Sequence, residues 1–252
     1  GDDVADLDWR VYGKSDRYYV KQYVEETNLR ATLLVDASGS MGYTGRRAST
    51  HAGRRLSKFA YARLLAASLA HLMIHQQDAV GLVTHDAAVR RYVPARSRPG
   101  HLRVLLQELA ETSPAQETAL ADVYHDVAER VHRRGLIVVL SDLLDDADAL
   151  LNAFQHFRFR KHEVVVLHVM ADEELTFPFD AMSAFRDLEG AAGRVQLDPH
   201  TIRAEYLDRL RAHVDAIRTG CGRMGIDYAQ LPTSRPFDQA LAHYLAGRRA
   251  SG

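Results

Sequence analysis

The sequence predicts an α/β fold: a doubly wound, mostly parallel central sheet flanked by helices, with a small β insertion at about 175–198. Three observations predict it. Short apolar, β-branched runs alternate with helical patterns of 10–20 residues, as βαβ units require. The runs are mostly apolar, as strands covered on both faces are. Two of them end at aspartates, Asp36 and Asp142, where a parallel sheet presents its ligand-binding edge.

Residues 1–28 carry Trp9, Tyr12, Tyr18, Tyr19 and Tyr23 without a helical period. So many aromatics exceed what a disordered tail carries, so an ordered arm is expected there. Residues 29–36 read as a buried strand ended by a turn. Residues 43–54 form a polar loop with Arg46, Arg47 and Arg54, either solvated or recognising a ligand or partner. Residues 56–77 are a helix, because Phe59, Ala62, Leu65, Ala66, Leu69, Leu72 and Met73 recur at three- and four-residue spacing.

Strands follow at 79–84 and 89–93, joined by Asp86-Ala87-Ala88, and Pro99-Gly100 punctuates the next loop. Helices are expected at 101–111 and 120–134. The strongly apolar strand at 135–140 ends in Ser141-Asp142. The helix at 145–160 opens with Asp145, Asp146 and Asp148, which suit its positive end. A strand at 163–170 closes this alternation.

The C-terminal part changes character. Phe177-Pro178-Phe179 and the runs around Glu189-Gly190 suggest a β excursion with a hairpin. Asp198-Pro199 leads a helix to 218, and a strand at 226–231 and a helix at 237–249 complete the chain. No repeat or flexible linker interrupts it. The expected organisation is an arm at 1–28 and one domain at 29–252 with the insertion.

With 252 residues, 46% of them hydrophobic, the chain can bury a sizeable core. A formal charge of −1 supplies no global field for nucleic acid or anionic lipid. The single cysteine, Cys221, excludes an intrachain disulfide and a thiolate zinc cluster. It reads as a small buried residue in a helix, in keeping with a reducing, cytoplasmic setting. No run approaches the roughly 18 apolar residues of a membrane span. Gly1-Asp2-Asp3-Val4 is acidic and polar, unlike a signal peptide.

The chemistry concentrates at Asp36-Ala37-Ser38-Gly39-Ser40. A strand feeding this turn sets Asp36, Ser38 and Ser40 on one rim of the sheet. Such hard oxygen donors suit Mg²⁺, and also Mn²⁺ or Ca²⁺. Neutral hydroxyls leave a cation under-neutralised, so it can accept a partner's carboxylate. Thr118, just before a helix, can add a third hydroxyl or cap that helix. Glu117 beside it brings a carboxylate that is either solvated or able to fill the open metal position.

Catalytic patterns are weak. The sequence has no Gly-x-x-x-x-Gly-Lys-Ser/Thr phosphate loop and no Gly-x-Ser-x-Gly nucleophile elbow. His71 and His75 share a helix face, but Leu72 stands where a zinc-protease motif needs Glu, so they read as a surface pair. His85-Asp86 reads as a loop.

The pattern Asp-x-Ser-x-Ser, then Thr, then Asp is similar to the metal-ion-dependent adhesion site of von Willebrand factor A domains. A second resemblance covers nearly the whole chain. Asp8-Trp9-Arg10-Val11-Tyr12-Gly13, Tyr19-Val20-Lys21-Gln22, Glu25-Glu26-Thr27-Asn28-Leu29 and Gly225-Ile226-Asp227-Tyr228 resemble the bacterial domain-of-unknown-function family fifty-eight, whose genes accompany MoxR-type AAA+ ATPases. The resemblance implies a Rossmann-like von Willebrand factor A fold. It implies metal ligation by Ser38, Ser40 and Thr118, with Asp36 and Asp142 binding directly or through water. The threonine loop departs from the usual Gly-rich form with an Asp after Thr.

Two functions follow as expectations. One is a non-enzymatic module that docks a partner carboxylate on the ion, with a MoxR-type ATPase or its client as partner. The other is a metal-dependent hydrolase or phosphotransferase using the same ion. Convergent His or Lys side chains would favour catalysis, and a shallow exposed rim would favour docking.

Overall fold

The computed structural model describes residues 29–115, 119–179, 183–186, 194–197 and 199–251. The aromatic arm at 1–28 lies outside them, as do Glu117 and Thr118. Strand β1 (Arg30–Asp36) runs into a 3₁₀ turn at Ser40–Gly42. The polar stretch after it holds a small hairpin, β2 (Thr50–His51) and β3 (Arg54–Arg55), where a plain loop was expected. Next come α1 (Lys58–His75), β4 (Ala79–His85), β5 (Val89–Arg96), α2 (Pro99–Glu111) and α3 (Leu120–Arg130). They are followed by β6 (Leu136–Ser141), α4 (Ala147–Phe159), β7 (Glu163–Met170) and a short helix, α5 (Asp172–Thr176). The antiparallel pair β8 (Ser183–Arg186) and β9 (Arg194–Leu197) forms the expected hairpin. Helix α6 (Pro199–Arg223), β10 (Asp227–Pro232) and α7 (Phe237–Ser251) complete the described chain.

The main sheet has the order β10-β7-β6-β1-β4-β5. Every neighbouring pair is parallel except β4 and β5. The chain leaves β1 toward β4 on one side and later returns to β6 on the other. The strand order therefore reverses between β1 and β6, which makes their carboxyl ends the topological switch point.

Period-two alternation builds two cores from these strands. Leu33, Val35, Leu82, Val138, Leu140 and Val165 pack on one face with α1, α2 and α7. Leu34, Val83, Ile137, Val139, Val164 and Val166 pack on the other with α3, α4 and α6. Cys221 on α6 is fully buried in the second core, as a small apolar residue would be.

Gly81, in the middle of β4, faces the bulged part of β5. A Cβ there would lie 2.8 Å from the Val93 carbonyl oxygen and 2.9 Å from the Ala95 nitrogen, both backbone atoms. Neither can swing away, so the edge strand itself must move. Gly81→Ala is expected to cost about 1–3 kcal/mol, read as a lowered midpoint in urea at unchanged slope. An unchanged midpoint would show that β5 yields freely.

Candidate metal centre

Asp36, Ser38 and Ser40 leave the carboxyl end of β1, and Asp142 leaves that of β6. Asp36 is fully enclosed, and each of its oxygens accepts one bond. Oδ1 takes the Ser38 backbone N–H at 2.8 Å, and Oδ2 takes the Ser141 hydroxyl at 2.5 Å. The first bond folds the Asp-x-Ser turn back on itself, and the second staples β1 to β6. The Ser38 and Ser40 hydroxyls face each other at 3.2 Å. Asp142 is 1% exposed, and its Oδ1 has no hydrogen-bond partner among the described residues.

The backbone that aims Asp142 is unusual. Leu143 has φ +52°, in the left-handed region, and its N–H donates to Ser141 Oγ at 2.9 Å. A leucine tolerates this only where its surroundings demand it, and its side chain is fully buried in the second core.

Two groups reach this site that the sequence reading did not single out. Lys58, the first residue of α1, is 1% exposed, and its ammonium donates to Asp142 Oδ2 at 2.7 Å. The same ammonium donates to Glu174 on α5. Glu174 is fixed in turn, because its Oε2 accepts the Ala171 N–H at 2.8 Å. The legible signal was a lysine opening a helix, where the dipole disfavours a cation. Burial alone would neutralise the ammonium, but Asp142 and Glu174 outweigh it and hold Lys58 charged, above its ordinary range.

The neighbouring carboxylates respond to the same enclosure. Burial first, then the charge of Asp142, pushes Asp36 from 3.8 up to about 7. Burial raises Glu174 too, against the pull of Lys58. His168 lies beneath the site, pushed down to about 4 chiefly by burial, with both nitrogens engaged by the Tyr228 hydroxyl and the Asp142 carbonyl.

His85 corrects the reading of a loop histidine. It ends β4 in register with Asp36, is fully buried, and has no partner on either nitrogen among the described residues. Burial pushes it down to about 3, so it is a neutral core residue edge-on to Tyr124. His71 and His75 are an exposed pair on α1, as expected.

Ala115, the last described residue before Thr118, donates its N–H to the Ala37 carbonyl at 2.9 Å. Thr118 itself lies outside the described residues. Ala119 takes the cap position without a side-chain bond, and Asp145 accepts from the Leu120 and Ala121 N–H groups. Of the three aspartates expected to open the next helix, Asp146 caps it and Asp148 stands in its first turn, while Asp145 serves α3. Arg46 and Arg47 are exposed, on a stretch pinned where the Arg47 N–H donates to Glu173 Oε1 at 3.0 Å.

The donor set suits a hard divalent cation. Two ligands at right angles on Mg²⁺, each about 2.1 Å from it, lie about 3 Å apart, close to the Ser38–Ser40 separation. The free Asp142 oxygen and the mutual repulsion of two enclosed carboxylates also call for a cation. Among the described residues no three His, Cys, Asp or Glu side chains form a metal-holding group, so such a site must rest on its hydroxyls. The site is not the shallow rim that docking suggested: Ser40, at 9%, is the most exposed of the four residues. The 3₁₀ turn buries Ser40 and Met41, and Pro114 lies against Gly42 at its end.

Comparison with known proteins places the chain. The family model described as Protein of unknown function DUF58 matches residues 1–216. The chain belongs to this family. The DUF58 chain is 26% identical to the uncharacterized protein Rv1480 of Mycobacterium tuberculosis over 99% of its own length and 76% of that protein. Its fold is similar to that of BatB, a conserved hypothetical protein from Bacteroides thetaiotaomicron. That likeness has a TM-score of 0.56 at 17% identity, over 89% of this chain and 100% of BatB. The VWA domain of SpRpn10 is also similar, at a TM-score of 0.43 and 12% identity over 88% of this chain and 95% of that one. The BatB likeness supports the α/β architecture, and the SpRpn10 likeness is too distant to carry an argument. Among the described residues no helix is long and apolar enough to cross a membrane.

Proposed function

We propose that this DUF58 chain is a non-enzymatic, metal-dependent protein-binding module. Ser38 and Ser40, with Asp36, Asp142 and Thr118, hold a divalent cation, Mg²⁺ most readily, as a metal-ion-dependent adhesion site. The ion accepts a carboxylate from a partner protein, a MoxR-type AAA+ ATPase or its client. The observation that carries this reading is the hydroxyl pair beside an unpartnered carboxylate oxygen, at the switch point of the sheet.

The alternative, a hydrolase or phosphotransferase on the same ion, needs a base that can take up a proton. Lys58 does converge on the site, but two carboxylates keep it charged. His168 has both nitrogens bonded, and His85 is sealed in the core. Asp36, pushed up to about 7, is the group best able to take up a proton, but both its oxygens already accept bonds, from the Ser38 N–H and the Ser141 hydroxyl, which favours a ligand's role and docking. Arg46 and Arg47, exposed on the stretch tied to Glu173, are the nearby groups suited to an acidic partner surface.

The test is capture of partners with the full chain as bait, with and without EDTA, alongside Asp36→Ala. Calorimetry with MgCl₂ and MnCl₂ alone accompanies it. Binding of metal and partner is expected for the wild type and to fall at least ten-fold in Asp36→Ala. The thermal transition is expected to survive EDTA, because the two cores are closed by apolar packing rather than by the ion. Equal metal binding by both chains, or partner capture indifferent to EDTA, would remove the proposal.

A further inference from the structure

We propose that Lys58 is a tethered cation that competes with the divalent ion for Asp142, with Glu174 as the counter-ion that makes loading possible. The inference rests on the metal-site reading above and assigns the site a built-in restraint. An ammonium buried at the positive end of α1 is unfavourable on both counts, so its presence there demands its two carboxylate partners. The ammonium does not stand in for the ion. Its hydrogen-bond partners are Asp142 and Glu174, and it bonds neither Asp36 nor the two serines. It holds Oδ2 of the carboxylate whose Oδ1 has no hydrogen-bond partner among the described residues.

An ion bound to Asp142 Oδ1 would share one carboxylate with a positive charge on the other oxygen. Two cations so close repel strongly inside a protein, where screening is poor. The repulsion is eased as the ammonium gives up Asp142 and leans on Glu174. Glu174 can receive it, because its other oxygen is locked to the Ala171 N–H and its carboxylate stays in place. Metal affinity is then set by three residues from α1, β6 and α5, two of which are not ligands.

Two substitutions move affinity in opposite directions. Lys58→Met keeps the aliphatic stem and removes the charge. Glu174→Gln leaves the ammonium to Asp142 alone. Calorimetric titration of the full chain with MnCl₂, and with MgCl₂ as a second probe, reads both. Kd is expected to fall at least ten-fold in Lys58→Met and to rise at least three-fold in Glu174→Gln. The rise in thermal midpoint on adding Mn²⁺ is expected to be larger in Lys58→Met than in the wild type, which loss of a structural ion pair alone would not produce. If Lys58→Met does not fold, judged by its circular dichroism, Glu174→Gln carries the test. Wild-type binding with unchanged or weaker binding by Lys58→Met, or unchanged or tighter binding by Glu174→Gln, overturns the competition and leaves the metal site standing. No binding by any of the three chains overturns the metal site and the competition together.

Discussion

Asp142→Ala is expected to lower the thermal midpoint of the metal-free protein by roughly 6–20 °C. The wild-type carboxylate holds a buried ammonium at 2.7 Å, and both side chains are 1% exposed. Removing it leaves Glu174 as the one carboxylate partner of Lys58 among the described residues. Breaking a buried ion pair from one side costs about 3–5 kcal/mol, because the remaining charge stays desolvated. Each kcal/mol moves the midpoint of a chain of this size by about 2–4 °C. The attribution is checked by Asp142→Ala/Lys58→Met, in which no ammonium is left stranded. Calorimetry in EDTA should show the double variant melting above Asp142→Ala. A double variant no more stable than the single one would mean that Asp142 acts by shaping the left-handed turn at Leu143.

The second large effect is on pH dependence. Asp36 titrates at about 7 in the folded protein, against 3.8 for an ordinary aspartate, because burial and then the Asp142 charge disfavour its ionised form. Across that window the folded chain holds a proton that the unfolded chain has released. The stability this group contributes is present in full below 3.8 and is lost as pH rises through 7. With about 1.4 kcal/mol per pH unit, the loss amounts to about 4 kcal/mol at pH 8. Asp36→Asn cannot ionise and escapes it. In EDTA the variant is therefore expected to gain on the wild type as pH rises from 4 to 8, by at most that amount. The gain is smaller to the extent that Asn bonds the Ser38 N–H and the Ser141 hydroxyl less well. Urea melts at pH 4, 6 and 8 read the difference, and a pH-independent gap would refute the shifted carboxyl. If Asp36 is a ligand as proposed, adding Mg²⁺ at pH 8 is expected to raise the wild type more than the variant, since a cation would bind the ionised carboxylate more strongly than an amide.

Much of the fold was legible because the inner strands are covered on both faces. The runs at 29–36, 135–140 and 163–170 match β1, β6 and β7 to within a residue or so at each end. Errors fall where one residue type serves two purposes. Pro94 was read as ending a strand, but β5 lies on the sheet edge and continues to Arg96, where a missing N–H is tolerated. The helix expected to end at 218 runs on to Arg223, through Gly220 and Gly222. A side chain at Gly220 would collide with Leu151, so that glycine permits close packing of α6 on α4. Helix α5 was missed because five residues are too few to show a period. It stands on three acidic residues in its first turn and the Glu174–Ala171 bond.

The candidate site was half legible. Asp36, Ser38 and Ser40 are local, so their spacing alone shows that they converge. Lys58 and Glu174 are not local: the bonds they make span 84 residues to Asp142 and 116 to each other. No short motif records such a pairing. Only the order of the strands brings α1, the end of β6 and α5 to one place.

The bond from Ser141 to Asp36 joins residues 105 positions apart, across the seam between β1 and β6. Parallel pairings at such separation must first close a long loop, so they form late. During synthesis β1 and β4 are complete well before β6 has been made. On the proposed reading, a divalent cation would find its full set of ligands only once β6 has docked, so its expected effect falls on the finished protein, as slower unfolding.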